Sequence, residues 1–307
     1  MWMIALIIFG PCAAGLAGAL LARFVWLRDV PRLGRGALTT ALLAGAVPVI
    51  AFILARLLVW WWSPSIRIEG AHELGRFTAV LPLALGILAV LLLMGRPPRR
   101  QRTTSADLSP RTVRTFLRGP WIAGVLAVAA LVLALTIALG VPSRRDSEGR
   151  YTQRWEAIGT NGTRAGFDAY GWYYSVPAMI TLALLLAVTA IAWWSIPRPA
   201  WDGPVEQDAA LRRLRAANVG RAALGAMLVH LGFVLSQLRG VATTVSELLS
   251  TQEGTITIPS PLAAMAPVFA WASPAAEAVG LALWILVALS AVPTPARQPS
   301  PSPSLAP

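Results

Sequence analysis

Apolar residues come in seven long runs, at residues 3–26, 37–62, 77–94, 121–141, 177–196, 221–241 and 273–292, separated by shorter polar stretches. Each run meets or approaches the roughly 20 residues that an α-helix needs to cross a bilayer. The pattern predicts an all-α, polytopic helical membrane protein of about seven transmembrane helices, with residues 1–293 as a single transmembrane domain. The second run exceeds a simple crossing and should tilt, with Pro48 as a candidate kink. Residues 262–292 are too long for one crossing, and Ser273-Pro274 reads as the start of the last span. That reading leaves residues 262–272 as an interfacial or re-entrant segment before the last helix. In the first run Ala14, Gly15 and Gly18 make a small-residue face suited to close helix packing.

The polar stretches carry their own elements. Glu206 to Asn218 reads as a helix, because Asp208 and Arg212 stand four apart and apolar residues recur at helical spacing. It is expected to run into the sixth span. Ser109 and Pro110 read as N-cap and first residue of a short helix through Leu117, lying on the membrane surface with Val113, Phe116 and Leu117 dipping inward. Residues 142–175 hold all four tyrosines, Tyr151, Tyr170, Tyr173 and Tyr174, together with Trp155, Phe167, Trp172 and nine charged residues. Such a segment is too aromatic for a disordered linker and should fold onto the helix ends. Asn161-Gly162 and the glycines at 159, 166 and 171 mark turns within it. Residues 294–307 are rich in Pro and Ser and read as a disordered tail.

Charge gives the layout a direction. Arg96 to Arg118 packs seven arginines against one acid, Asp107, and Arg-rich short loops stay on the cytoplasmic side. With that loop inside, 17 of the 26 arginines fall inside, 7 outside and 2, Arg56 and Arg239, within spans. The N-terminus is then outside, and the C-terminal tail is cytoplasmic. Because the basic residues follow the first apolar run, that run reads as a retained helix and not as a cleaved signal peptide. Trp60, Trp61 and Trp62, and Trp193 and Trp194, fall at span ends as an aromatic belt requires.

Composition narrows the chemistry. The chain of 307 residues is 56% hydrophobic and 13% charged, with a mean hydropathy of +0.62. Its net charge of +12 is spread over short loops, so it points to anionic lipid headgroups at the inner face and not to nucleic acid. All the basic residues other than two histidines are Arg, so the chain supplies no Schiff-base lysine and no Walker A lysine; any ATPase must be a separate subunit. The one cysteine, Cys12, lies in an apolar run and reads as a small packing residue. No cofactor or metal is expected: there is no HExxH helix, and a haem on His230 and His72 would pair a mid-span residue with a loop residue. The Arg-only composition and the stretch Gly171-Trp172-Tyr173-Tyr174-Ser175-Val176-Pro177 resemble polytopic membrane proteins of GC-rich actinobacteria. The resemblance implies a bacterial plasma-membrane protein and carries no function.

Ionisable groups inside spans are costly and are functional candidates by default. Four occur here, Arg56, His230, Arg239 and Glu277. Counted from the inner helix ends, Arg56, Arg239 and Glu277 lie about 24 to 28 Å up, near the outer leaflet boundary, where a pair of Glu277 with Arg239 or Arg56 would make a polar pocket beneath the aromatic outer segment that holds Tyr170, Trp172 and Tyr173. The competing reading is structural: Arg can snorkel to water, and Glu277 in a first helical turn favours the dipole. His230 lies deeper and reads as a packing or hydrogen-bonding residue. The first functional expectation is a permease-like or accessory subunit of a transport or export system. Its partners would dock on the inner basic loop, at Arg99, Arg100, Arg102, Arg111, Arg114 and Arg118, and on the helix Glu206 to Asn218. Alternatives are a non-transporting sensor or assembly subunit and a lipid-modifying membrane enzyme.

Overall fold

The computed structural model describes residues 2–26, 31, 33–62, 68–95, 112–158, 164–198, 205–250 and 254–292. Helix α1 spans Trp2–Leu21 and continues as a π turn over Ala22–Trp26. It is followed by α2 (Arg35–Trp62), α3 (Ile68–Met94), the single turn α4 (Val113–Phe116), α5 (Gly119–Gly140), α6 (Trp172–Ser195), α7 (Val205–Thr243) and α8 (Ala266–Leu289). Among the described residues α2, α3, α5, α6, α7 and α8 are long and apolar enough to cross a membrane, and the apolar stretch Phe9–Val25 of the first helix is slightly shorter. The protein is a multi-pass helical membrane protein. Its apolar side chains also point outward: Leu54, Leu126, Ile180 and Leu184 are more than half exposed, as lipid-facing positions should be.

The bundle is built around α7. It packs against α3, α5, α6 and α8, while α1 and α2 lie on α8, and α2 also reaches α3. Small residues make this centrality possible. Gly220, Ala222, Ala223, Gly225, Ala226 and Gly232 of α7 are all buried and let neighbouring backbones approach. At 39 residues α7 is about 58 Å long, which exceeds the thickness of a bilayer's hydrocarbon by about 28 Å. The predicted helix from Glu206 and the sixth span are thus one element.

The two ends of the bundle differ. At one end lie two small antiparallel β units. The first comprises β1 (Arg144–Arg145), β2 (Tyr151–Ile158) and β3 (Arg164–Ala169) in the order β1-β2-β3, and is built on the β2–β3 hairpin, whose β2 meets α5 and α6. The second pairs β4 (Val245–Ser250) with β5 (Gly254–Pro259), and β3 packs against β4. Gly171 turns the chain from the first hairpin into α6 with φ +103, and a Cβ there would stand 2.7 Å from Tyr151 O. Only glycine fits this corner.

At the other end arginines close the helices. Arg23 donates to Leu289 O and Val292 O beyond the last turn of α8 (3.3 and 2.6 Å). Arg212 donates to Ile196 O after α6 (2.9 Å), and Arg215 to Leu93 O and Gly95 O after α3 (2.9 and 3.1 Å). The last carbonyls of a helix have no intrahelical partner and carry its negative dipole end, so a guanidinium placed there satisfies both. Arg215→Met is expected to lower stability by about 2 kcal/mol, the worth of a charge-assisted hydrogen bond with its partners left unpaired, read as a drop in Tm by tryptophan fluorescence in detergent. An unchanged Tm would show that water replaces the cap.

Several expectations need correction. Helix α3 starts at Ile68, so most of the polar stretch expected as a loop before the third span is helical. Residues 266–272 form the first two turns of α8, after a 3-10 turn at Ala263–Met265, in place of a separate interfacial or re-entrant segment. Pro267 sits at the tolerated helix start, and Pro274 is carried inside the helix, where Ser273 Oγ donates to Gly232 O (2.9 Å) and ties this turn to α7. The turn at 113–116 does not lie in lipid. Phe116 and Leu117 are buried in the protein core, with the Arg212 guanidinium 5.7 Å from the Phe116 ring centroid. Trp193 is buried too, donating to Ala216 O (3.0 Å), whereas Trp194 is exposed beneath Arg198. Ser109, Pro110, the side chains of Trp60 to Trp62 and the tail 294–307 lie outside the described residues.

Candidate functional site

Glu277 lies on the face of α8 that meets α7. Ser273 is one turn before it and Gly280 one turn after, and all three are buried. Gly232 of α7 lies opposite, and a Cβ there would stand 3.1 Å from Glu277 Cβ and 3.0 Å from Ser273 O. The carboxylate would be stranded without a cation. Arg56 of α2 supplies one, through an ion pair between its Nη1 and Glu277 Oε1. The Arg56 guanidinium lies 5.7 Å from the Phe52 ring centroid; the Arg56 side chain as a whole is 31% exposed, the Glu277 side chain 8%. Cys12 of α1 is half-buried within electrostatic reach of both. The pair thus stands where α1, α2, α7 and α8 come together.

Arg239 does not join this pair. It is exposed near the hairpin end of α7 and has no ion pair among the described residues. The tyrosines do not join it either. Tyr170 and Tyr174 stack at 5.4 Å between ring centroids and form one buried cluster with Ala79 of α3 and Val234 of α7. Tyr173 meets Tyr174 edge-on and donates its hydroxyl to Glu73, with Arg76 5.0 Å and Arg150 6.0 Å from its ring centroid. Trp172 lies on Gly140 at the end of α5, where a Cβ would stand 2.7 Å from the indole. The reason for the separation is helical phase. His230, which faces Ala79, and Gly232, which faces Glu277, are two residues apart on α7 and point about 200° apart. One helix divides the expected single pocket into two constellations.

The turn between β1 and β2 anchors the aromatic side. Asp146 accepts from the Arg150 side chain (2.8 Å) and from the backbone N–H groups of Glu148 (2.9 Å) and Arg150 (2.8 Å). Burial opposes the ionised form, but these hydrogen bonds overcome it and hold the Asp146 carboxyl below the ordinary carboxylate range. Tyr170, by contrast, has its hydroxyl pushed well up by burial.

Of the proposed inner contacts, Arg99, Arg100, Arg102 and Arg111 lie outside the described residues, as does the Arg114 side chain. Arg118 is exposed at the N-cap of α5. The helix expected to offer a docking face is largely spent within the fold. Asp208 and Arg212 pair with each other at 2.7 Å and are buried, leaving Val205, Glu206, Gln207 and Arg213 exposed. Sequence reasoning missed the capping arginines, because a positive-inside count treats every inner arginine alike. It also missed Asn218, which links Arg221 to Ser290 through two bonds of 2.7 Å. Among the described residues no three His, Cys, Asp or Glu side chains gather as a metal site. Comparison with family models, with curated proteins and with solved structures gives no match.

Proposed function

We propose that this chain is the membrane-embedded, permease-like or accessory subunit of a transport or export system in a bacterial plasma membrane. In this reading the hairpin end faces outward and the arginine end faces the cytoplasm. The observation that carries it is the buried carboxylate of Glu277, held inside a span by an arginine from another helix at a four-helix junction. Intramembrane charge is costly to keep and marks substrate or ion paths. A polar solute entering from the hairpin end can compete for either member of such a pair, because Arg56 is partly exposed. Energy would come from a separate ATPase docking at the arginine end, and anionic headgroups would bind the exposed arginines there.

Ser273 supports transport over lipid chemistry. Its hydroxyl proton is committed to Gly232 O, and Glu277 is committed to Arg56, so the two are not arranged as nucleophile and base. A sensor or assembly role draws support from the two packed hairpins, which give the bundle a folded surface at that end. One experiment separates the readings. The tagged protein, extracted gently from its native membrane, is expected to retain an ATP-hydrolysing subunit at fixed stoichiometry, and Glu277→Gln is expected to retain it while substrate movement in reconstituted vesicles falls at least tenfold. A chain that retains only other membrane subunits, or whose Glu277→Gln form transports normally, overturns the proposal.

A further inference from the structure

Three buried side-chain atoms have no hydrogen-bond partner among the described residues: Thr152 Oγ1, Tyr170 Oη and His230 Nε2. Buried polar atoms are almost always paired, through protein or ordered water, because an unpaired one keeps its full desolvation cost. These three are not scattered. Thr152 lies against the Gly171 corner, where a glycine Cβ would stand 2.8 Å from Thr152 Cα, and Tyr170 is the residue before that corner. Tyr170 packs with Tyr174, Ala79 and Val234; His230 is one turn deeper on the Val234 face of α7, with Nδ1 2.7 Å from Ala79 O. They descend from the hairpin to a point on α7 about 20 Å inward of Thr243.

Their chemistry is complementary. A carbonyl only accepts, so in the neutral ring the His230 proton sits on Nδ1 and Nε2 is an acceptor. Tyr170 and Thr152 each offer an O–H donor. The hydroxyls of Thr136 and Ser175 lie close enough to Tyr170 to offset part of the cost of its burial, but they send their own protons to Val132 O (2.6 Å) and Thr136 O (2.8 Å), and neither completes a hydrogen bond of full geometry with Tyr170 Oη. An anion would meet the Nε2 lone pair and a cation the hydroxyl protons, so a neutral molecule that both donates and accepts fits, and water is the smallest such molecule.

We propose that the face of α7 opposite Glu277 carries a water site, in which bound water links His230 Nε2 to the Tyr170 hydroxyl and continues toward Thr152, giving the hairpin end a hydrated path to the middle of the bundle. This assignment is independent of the Arg56–Glu277 reading. The test is radiolytic hydroxyl labelling of the full chain in lipid nanodiscs prepared in heavy-oxygen water, read by mass spectrometry. Trp284, which is as fully buried as His230 but donates to Ala222 O, is the dry control. Tyr170 and His230 are expected to take up heavy oxygen several-fold faster than Trp284; labelling no faster than that control overturns the proposal. Tyr170→Phe gives a second reading by sign. Loss of a water-bonded hydroxyl lowers Tm by about 2 °C, whereas loss of an unpaired one raises it, and a rise also overturns the proposal. If Tyr170→Phe does not fold, labelling of the unaltered chain decides alone.

Discussion

Gly280→Val is expected to keep α7 and α8 from docking and to deplete the folded protein. A Cβ on Gly280 would stand 2.7 Å from Gly225 O and 2.7 Å from Val229 Cγ2, and one on Gly225 would stand 2.9 Å from Gly280 O. The obstacle is backbone, which cannot rotate away. The helices must part, and Trp284, one turn further along α8 and wholly buried, then loses its 3.0 Å bond to Ala222 O. Overpacking alone costs about 1–3 kcal/mol, and an unpaired buried indole adds about 1–3 kcal/mol more. Against a total stability of about 5–15 kcal/mol that is enough to deplete the folded state. Gly18→Val is the control, because nothing lies within 4 Å of a Cβ there. Fluorescence-detected size-exclusion chromatography should show a monodisperse peak for Gly18→Val and little or none for Gly280→Val. Equal peaks would mean that the α7–α8 crossing is not the close backbone contact described here.

The same crossing shows how far the sequence could be read. Hydrophobic runs locate helices because a lipid-spanning backbone must bond within itself, and each run falls largely within one helix of the structure. Partners were not. Nothing local to Gly225 or Gly280 says that they face one another, and Gly15 and Gly18 look alike although a Cβ on Gly15 would stand 2.8 Å from Ala278 O of α8 and one on Gly18 would meet nothing within 4 Å. The hairpins were missed for another reason. Asn161-Gly162 was read as a turn, but the β-branched alternation at Thr255-Ile256-Thr257-Ile258 is short and lies between long apolar runs that dominate any window. The Glu277–Arg56 meeting was foreseeable from depth along the helices, a one-dimensional quantity. Which side of α7 each group occupies depends on rotation about the helix axis, and depth carries no information on that; so the tyrosines and Arg239 were wrongly gathered into the same pocket.

Arg56→Met should destabilise the protein more than Glu277→Gln does, although both remove the same ion pair. The asymmetry follows from exposure, 31% for the arginine side chain and 8% for the glutamate. Breaking a fully buried pair by deleting one partner costs about 3–5 kcal/mol, and the partial exposure of Arg56 reduces this to about 2–3 kcal/mol. In Arg56→Met the carboxylate is left in the helix junction with no cation from α2. In Glu277→Gln the amide oxygen still accepts from the guanidinium, which can otherwise extend toward water, so the cost should be about 1 kcal/mol. Arg56→Met/Glu277→Met removes both charges and should recover most of the loss, since an apolar pair of similar volume is often as stable as a buried ion pair. Thermal unfolding in detergent ranks the three, and Arg56→Met no less stable than Glu277→Gln would refute the exposure argument. The double variant also decides what the pair is for. If it is as stable as the unaltered chain yet moves no substrate, the charges are kept for transport; if it is stable and active, they only fasten α2 to α8, and the proposed substrate site falls with them.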